Sequence, residues 1–159
     1  FVRGDLHERL LPTQTGWFAD EDIFAMDISD YSPAHNARRF DAGTPPVPNI
    51  YAGLAGMGIV EEAGVSTIAA HVDGLVERLF AGLDELGATV ATPRGEREHG
   101  PLVCVESTDV HALAEALRAE RVLVSSRDRN VRIALHLYNV EEDVDRILEA
   151  LARRRELLA

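Results

Sequence analysis

The residues best suited to chemistry lie in one short loop, Gly43-Thr44-Pro45. Glycine tolerates unusual backbone angles and proline locks φ, so the sequence predicts a rigid, irregular loop. Thr44 offers a hydroxyl and a backbone N–H, Arg38 and Arg39 stand just upstream, and an apolar helix is predicted to begin at Pro48. A rigid loop at a helix N-terminus, with cations nearby, suits an anion. The alternative is an ordinary helix entry with solvated arginines.

A second candidate is the arginine at position 132, which lies in a predicted strand between Val131 and Ile133. Strand alternation puts its side chain on the face opposite those two apolar residues. A guanidinium held there by a rigid scaffold can bind a carboxylate with two parallel hydrogen bonds. An ion pair with a glutamate on a neighbouring element fits the same spacing equally well.

Other reactive side chains are not arranged for catalysis. No two of the six histidines share metal-ligand spacing on one element, so no metal site is predicted. Cys104 lies in an apolar strand, where a buried thiol is expected to act as a small hydrophobic group. Ser125-Ser126 lacks the Gly-x-Ser-x-Gly pattern of a nucleophilic serine. The sequence therefore predicts no catalytic residue within this chain.

Composition bounds the partners and the location. The chain has 159 residues and is 46% hydrophobic, enough for a real core. Its net charge of −11 argues against nucleic acid or an anionic membrane as the main partner. The single cysteine excludes an internal disulfide. No secretory leader and no apolar run of about 20 residues is evident, so a cytoplasmic location is expected.

All sixteen basic residues are arginine, and there is no lysine. Any reaction that needs a lysine amine, such as formation of a Schiff base, cannot be completed by this chain.

The periodicity of apolar residues predicts a helix from Pro48 to Ala63 and a second helix, capped by Ser66, that ends at Leu86. A third helix is predicted after a cap at Thr108, and a last helix after a capping box formed by Asn139 and Glu142. Short strands are predicted at 89–92, 102–106, 121–125 and 131–137. We expect an α/β fold of the α+β kind, a small sheet covered by helices on one face. The long irregular stretch from Thr13 to Pro48 is apolar enough to imply a partner surface.

Three motifs together resemble the C-terminal part of the class V aminotransferase family. They are Gly16-Trp17-Phe18; Ala37-Arg38-Arg39-Phe40-Asp41-Ala42-Gly43-Thr44-Pro45-Pro46; and Val131-Arg132-Ile133-Ala134-Leu135-His136-Leu137-Tyr138-Asn139, followed by Glu142-Asp143-Val144. The family comprises pyridoxal-phosphate enzymes of fold type I, including cysteine desulfurases and kynureninases. The order and spacing of the motifs match, and the resemblance covers nearly the whole chain.

The resemblance implies roles for residues in each of the three motifs. Thr44, in the loop with Gly43, would contact the pyridoxal phosphate of the other subunit in a homodimer with a shared active site. Arg132 would bind the α-carboxylate of an amino-acid substrate. Trp17 resembles a kynureninase tryptophan near the cofactor phosphate. We interpret two other polar residues of the third motif as structural. His136 would form a hydrogen bond at the end of the strand, and Asn139 would cap the following helix.

The resemblance also implies a domain division. Residues 1–47 would be the end of the large domain with an active-site loop, and residues 48–159 the C-terminal small domain. The family's Schiff-base lysine lies N-terminal to this region, so the cofactor could not attach covalently here, and an N-terminal large domain is expected elsewhere. A non-catalytic binding or assembly domain, or one piece of a split enzyme, remains an alternative.

The stretch from Ser125 to Asn130 contains no cysteine. Cysteine desulfurases of the family carry a reactive cysteine on the loop before the carboxylate-binding arginine. The resemblance therefore disfavours desulfurase chemistry, and the Gly-Trp-Phe and Gly-Thr-Pro-Pro sequences favour the kynureninase-like or general aminotransferase branch. The reaction itself is not determined by these motifs.

Overall fold

The computed structural model describes residues 1–27, 29–95 and 98–159. The chain forms two compact units, Phe1–Gly58 and Ile59–Ala159, so the first long helix, α1 (Val47–Ala63), belongs to both. Before α1, the described residues of the first unit form short 3-10 turns at Gly4–Leu6, Trp17–Ala19 and Ala37–Phe40, and one antiparallel bridge between Asp20 and Pro33. The other elements follow in the order α2 (Val65–Leu86), β1 (Leu102–Glu106), α3 (Val110–Ala119), β2 (Ser125–Arg127), β3 (Asn130–Ala134), α4 (Glu141–Ala152) and a 3-10 turn at Arg155–Leu157.

The three strands form one antiparallel sheet in the order β1-β3-β2. Val103 pairs with Ile133 and Val105 with Val131, and these four side chains are all buried. Because side chains alternate along a strand, their neighbours point to the other side of the sheet. We call that side the open face; it carries Leu102, Cys104, Glu106, Ser125, Arg127, Asn130, Arg132 and Ala134.

Helices cover the opposite side of the sheet and enclose the core of the second unit. The valines and isoleucine of β1 and β3 pack there with apolar residues from three amphipathic helices. The helical members of this core are Val72, Leu75, Val76, Leu79, Phe80, Leu83, Leu113, Leu117, Val144, Ile147, Ala150 and Leu151. The expected α/β class, a small sheet with helices on one face, is confirmed.

Strand boundaries differ from the sequence-based expectation except in β1, whose predicted range is the observed one. The predicted strand at 121–125 is displaced to Ser125–Arg127, since Arg121 adopts a left-handed backbone with φ of 65°. The strand at 131–137 ends at Ala134. The 89–92 segment is reduced to one bridge, between Val90 and Val105.

The N-terminal caps of the helices were assigned to the wrong residues. Helix α2 begins after Gly64, whose φ is 81°, and not at Ser66. The cap of α3 is Asp109, whose carboxylate accepts from Ala112 N at 3.0 Å, and not Thr108. In each case the capping position lies within two residues of the predicted one, a displacement that hydrophobic periodicity does not resolve.

Helix α1 ends where predicted and begins one residue earlier, at Val47, but none of its 17 residues is buried. Apolar side chains surround it, and the larger ones are roughly half to two-thirds exposed: Val47, Ile50, Tyr51, Leu54, Met57 and Ile59. Helices that are apolar on all sides are normally buried. Helix α1 therefore presents a surface that needs a covering partner.

Candidate functional site

The structure brings together two of the sequence-predicted site residues, Trp17 and Thr44. The indole Nε1–H of Trp17 donates to Thr44 Oγ1 at 3.3 Å. Because this oxygen accepts a hydrogen bond from the indole, the hydroxyl proton of Thr44 is left to form a hydrogen bond with another acceptor. Both residues are exposed, so the Thr44 hydroxyl can donate a hydrogen bond to a ligand.

A glycine that the sequence analysis gave no role holds these two residues together. Gly16 N donates to Asp41 O at 2.8 Å, which fastens the Gly-Trp-Phe segment to the Gly-Thr-Pro loop. A Cβ atom at Gly16 would lie 2.5 Å from the carbonyl carbon of Ala42, so no larger residue fits without displacing the backbone. In the sequence, the glycine at position 16 was the feature that could have indicated this contact, since a glycine can mark close approach of two backbones.

Gly43 does not need the conformational freedom that the sequence analysis assigned to it. Its φ lies outside the left-handed region, and a Cβ atom there would meet nothing within 4 Å. Within the described residues, the N–H groups of Gly43 and Thr44 donate no hydrogen bond. These two N–H groups and the Thr44 hydroxyl are a set of donors suited to an anion.

The two arginines beside this loop bind other residues of the first unit, so the alternative of solvated arginines does not hold for Arg39. Arg38 donates to the carbonyl oxygens of Phe18 and Glu21, at 3.1 and 3.3 Å. Arg39 is 4% exposed and forms a salt bridge with Glu8. Both guanidinium groups bind other residues of the first unit. The Arg39 side chain is buried, whereas the Arg38 side chain is 30% exposed.

A cavity of about 680 Å³ opens beside Trp17, on the side of the 20–32 segment. Its lining includes several carboxylates: Asp20, Glu21, Asp22, Asp27 and Asp30. Negative charge of that density repels an anionic ligand. This cavity is therefore poorly suited to a phosphate.

Arg132 lies in β3, the middle strand of the sheet, opposite Cys104 in β1 and Ser125 in β2. Its side chain points to the open face and is partly exposed, as alternation predicted. Among the described residues, Arg132 forms no salt bridge and no side-chain hydrogen bond. Within that part of the chain, the alternative of an ion pair with a neighbouring glutamate does not hold.

Cys104 is not the buried hydrophobic group that its apolar neighbours suggested. Its thiol is free and partly exposed on the open face, because the buried positions of β1 are Val103 and Val105. Across residues 1–27, 29–95 and 98–159 no cluster of side chains could hold a metal ion. In the same residues, no helix has the length and apolarity needed to cross a membrane.

The end of the third motif is a hydrogen-bonded turn. Asn139 Oδ1 accepts from His136 N at 2.9 Å, and Asn139 Nδ2 donates to Asp143 Oδ2 at 3.2 Å. Asp143 Oδ2 also accepts from Val140 N at 3.2 Å, so Asp143 supplies the carboxylate that was assigned to Glu142. The bond from Asn139, followed by that from Val140, lowers the pKa of the Asp143 carboxyl.

Comparison with known proteins places these features in a family. Residues 1–147 match the family described as Aminotransferase class-V. An uncharacterized aminotransferase of Bacillus subtilis, YcbU, is 29% identical over 97% of this chain, which spans 40% of that protein. A cysteine desulfurase of Haloferax volcanii is 27% identical over 76% of this chain and 32% of its own length.

The fold also matches a solved structure. The apo cysteine desulfurase of Thermococcus onnurineus superposes with a TM-score of 0.87 over 98% of this chain and 42% of that one, at 24% sequence identity. At that identity the likeness concerns the fold. The family match extends over most of the sequence, including both glycine-containing loops and the Arg132 strand. The chain therefore belongs to the class V aminotransferase family.

Proposed function

We propose that this chain is the C-terminal portion of a pyridoxal-phosphate-dependent enzyme that acts on an amino acid. The observation that carries the proposal is Arg132, a guanidinium on the open face without an ion pair in the described part of the chain. An uncompensated, partly buried guanidinium in a strand is suited to a carboxylate ligand. Arg132 would bind the α-carboxylate of the substrate and fix the orientation of the bonds at its Cα atom.

The Gly43–Thr44 donors fit the phosphate of the cofactor. The Thr44 hydroxyl is oriented by the Trp17 indole, and the two neighbouring N–H groups have no acceptor in the described residues. In a homodimer these groups would meet the phosphate bound mainly by the other subunit. When bound, the cofactor supplies an electron sink for the reacting amino acid.

The domain division belongs to the same proposal. Residues 1–47 would complete a large domain that carries the lysine, and residues 48–159 would be the small domain. This chain spans 40% of the Bacillus subtilis relative, which leaves room in such a protein for that large domain. The rival proposals are a non-catalytic domain with the same scaffold and one piece of a split enzyme. A continuous reading frame upstream of Phe1, with a lysine shortly before it, would support the parent enzyme against both.

Desulfurase chemistry is not part of the proposal, although cysteine desulfurases are among the relatives. In this chain β2 and β3 are joined directly by Asp128 and Arg129, and Asp128 takes the left-handed conformation with φ of 53°. A two-residue turn without cysteine offers no mobile thiol at this position. The general aminotransferase or kynureninase-like branch fits better.

The test is recognition of the α-carboxylate by the complete polypeptide that contains this chain. Turnover of α-amino acids should be compared with that of their α-carboxamides, in the wild type and in Arg132→Gln. We expect the wild type to prefer the acids and the variant to lose that preference. Equal use of acids and amides by the wild type would contradict the proposal, as would a full preference for acids in the variant.

A further inference from the structure

A second arginine, unpaired within the described part of the chain, occupies the open face close to Arg132. Arg127, the last residue of β2, pairs with Asn130 in β3, two residues before Arg132. Directly paired residues share a face, so Arg127, Asn130 and Arg132 project to the same side of the sheet. Diagonal neighbours of this kind lie about 7–8 Å apart, within reach of long side chains.

The charge on this face is unbalanced. Glu106, the acidic residue among the described strand residues of this face, forms a salt bridge with Arg129 Nη2 at 2.8 Å. Neither Arg127 nor Arg132 has a salt bridge or side-chain hydrogen bond within the described residues. Two like charges at such a separation repel each other, and a ligand with two negative groups relieves that repulsion.

We propose that Arg127 is a specificity-determining residue that binds a second acidic group, so that the substrate is an amino acid with an acidic side chain. This inference rests on the proposed function, because it takes the α-carboxylate to be bound by Arg132. Arg127 lies toward the hairpin turn, so the side chain of the substrate would extend along the sheet from Arg132 to that turn. Both guanidinium groups can bind a carboxylate bidentately.

The hairpin formed by β2 and β3 fixes the position of Arg127 relative to Arg132. Its two-residue turn leaves little freedom in register, because a slip by one residue would move Val131 from the core to solvent. The position of Arg127 relative to Arg132 is therefore set by the buried side of the sheet. Arg129, in the same turn, cannot substitute for Arg127 while it is paired with Glu106.

The probes are succinate, which has two carboxylates, and succinamate, its monoamide, titrated calorimetrically into the complete polypeptide. The variants are Arg127→Gln, Arg127→Lys and Arg132→Gln. The matched control is Arg146→Gln, which removes the same charge from an exposed position of α4, on the helix-covered side of the sheet. Circular dichroism would establish that each variant folds.

We expect Arg127→Gln to weaken succinate binding about 10-fold or more and to leave succinamate binding unchanged. Arg127→Lys should restore part of the loss, Arg132→Gln should weaken both probes, and Arg146→Gln should weaken neither. In turnover, Arg127→Gln should lower kcat/KM for aspartate and glutamate but not for asparagine and glutamine.

Two different failures are distinguishable. If Arg132→Gln weakens both probes while Arg127→Gln changes neither, or changes both equally, the role of Arg127 is overturned and the proposed function survives. If Arg132→Gln leaves both probes unaffected, the proposed function fails, and with it this inference.

Discussion

The indole N–H of Trp17 donates to the hydroxyl of Thr44 across a separation of 27 residues in the chain. This bond exists because Gly16 lets the two backbones approach and donates to Asp41 O. The consequence is directional, since a hydroxyl that accepts from the indole points its own proton elsewhere. Two motifs that look independent in the sequence therefore form one structure.

Replacing Thr44 by valine in the complete polypeptide should weaken binding of pyridoxal phosphate about 10-fold or more, because a hydrogen bond to a charged group contributes about 1.5–3 kcal/mol. Trp17→Phe, which removes only the orienting donor, should have a smaller effect of about 2- to 10-fold. Equilibrium dialysis of the cofactor measures both. Thr44→Ser keeps the hydroxyl and serves as the control; if it loses as much affinity as Thr44→Val, the hydroxyl is not the ligand.

Two glycines in this region should respond differently to substitution by alanine. At Gly16 the new Cβ would lie 2.5 Å from Ala42 C, so Gly16→Ala should lower stability by about 1–3 kcal/mol, as overpacking does. At Gly43 the space is open and φ is ordinary, so Gly43→Ala should be nearly neutral. Thermal unfolding of the two variants side by side measures the difference. Equal melting temperatures would contradict the close approach at Gly16.

The sequence predicts those features of the site that depend on neighbouring residues, and not those that depend on residues far apart in the chain. Alternation along β3 was sufficient to place Arg132 opposite the core, because period-2 burial is a local property. The roles of Arg38 and Arg39 were not predictable, since their partners, Phe18, Glu21 and Glu8, lie 17 to 31 residues away. Nothing in local spacing distinguishes an arginine bound to distant carbonyl groups from one in solvent.

For the fold too, local sequence patterns predict the elements but not what packs against them. Helical periodicity predicted α2, with its buried stripe, and also α1. Periodicity could not show that α1 would be exposed on every side, because burial depends on what packs against a helix. Cys104 was misplaced for a related reason, since an apolar run does not reveal which of its two faces is buried until the strand is paired.

The exposed surface of α1 should make the isolated 159-residue chain self-associate. Large apolar side chains without cover favour association in water, and α1 carries several. Light scattering after size-exclusion chromatography should show a mass that rises with concentration. A Leu54→Glu, Met57→Glu double variant should shift the chain toward monomer. The charge-conserving double change Asp73→Glu, Glu77→Asp, at exposed polar positions of α2, should not. A monomeric wild type at high concentration would contradict this expectation.

Stability should depend on acid pH through Asp143. Hydrogen bonds from Asn139 and Val140 lower the pKa of its carboxyl in the folded state. A carboxyl with a lowered folded pKa stabilises the fold above its unfolded pKa of about 3.9, and that contribution is lost as pH falls toward the folded value. The difference in urea midpoint between the wild type and Asp143→Asn should therefore be largest near pH 6 and shrink below about pH 4.

The control for this measurement is Asp73→Asn, which removes an exposed carboxylate from α2 that accepts no hydrogen bond within the described residues. Its midpoint should stay close to that of the wild type at each pH. A difference for Asp143→Asn that stayed constant from pH 3 to pH 7 would mean that packing, and not the carboxylate charge, holds the Asn139 turn.

Replacing Arg132 by alanine in the complete polypeptide should lower kcat/KM for an α-amino acid by two to four orders of magnitude. Truncating one partner of a buried charged pair typically costs about 2–5 kcal/mol, and about 1.4 kcal/mol corresponds to one decade. The melting temperature should change little, because Arg132 has no ion pair in the described part of the chain to lose. Arg153→Ala is the matched control. It removes a guanidinium that pairs with Glu120 and Glu149, so it should lower the melting temperature slightly and leave kcat/KM unchanged. An Arg132→Ala variant that melts early and keeps normal kcat/KM would assign Arg132 to the fold and remove it from the substrate site.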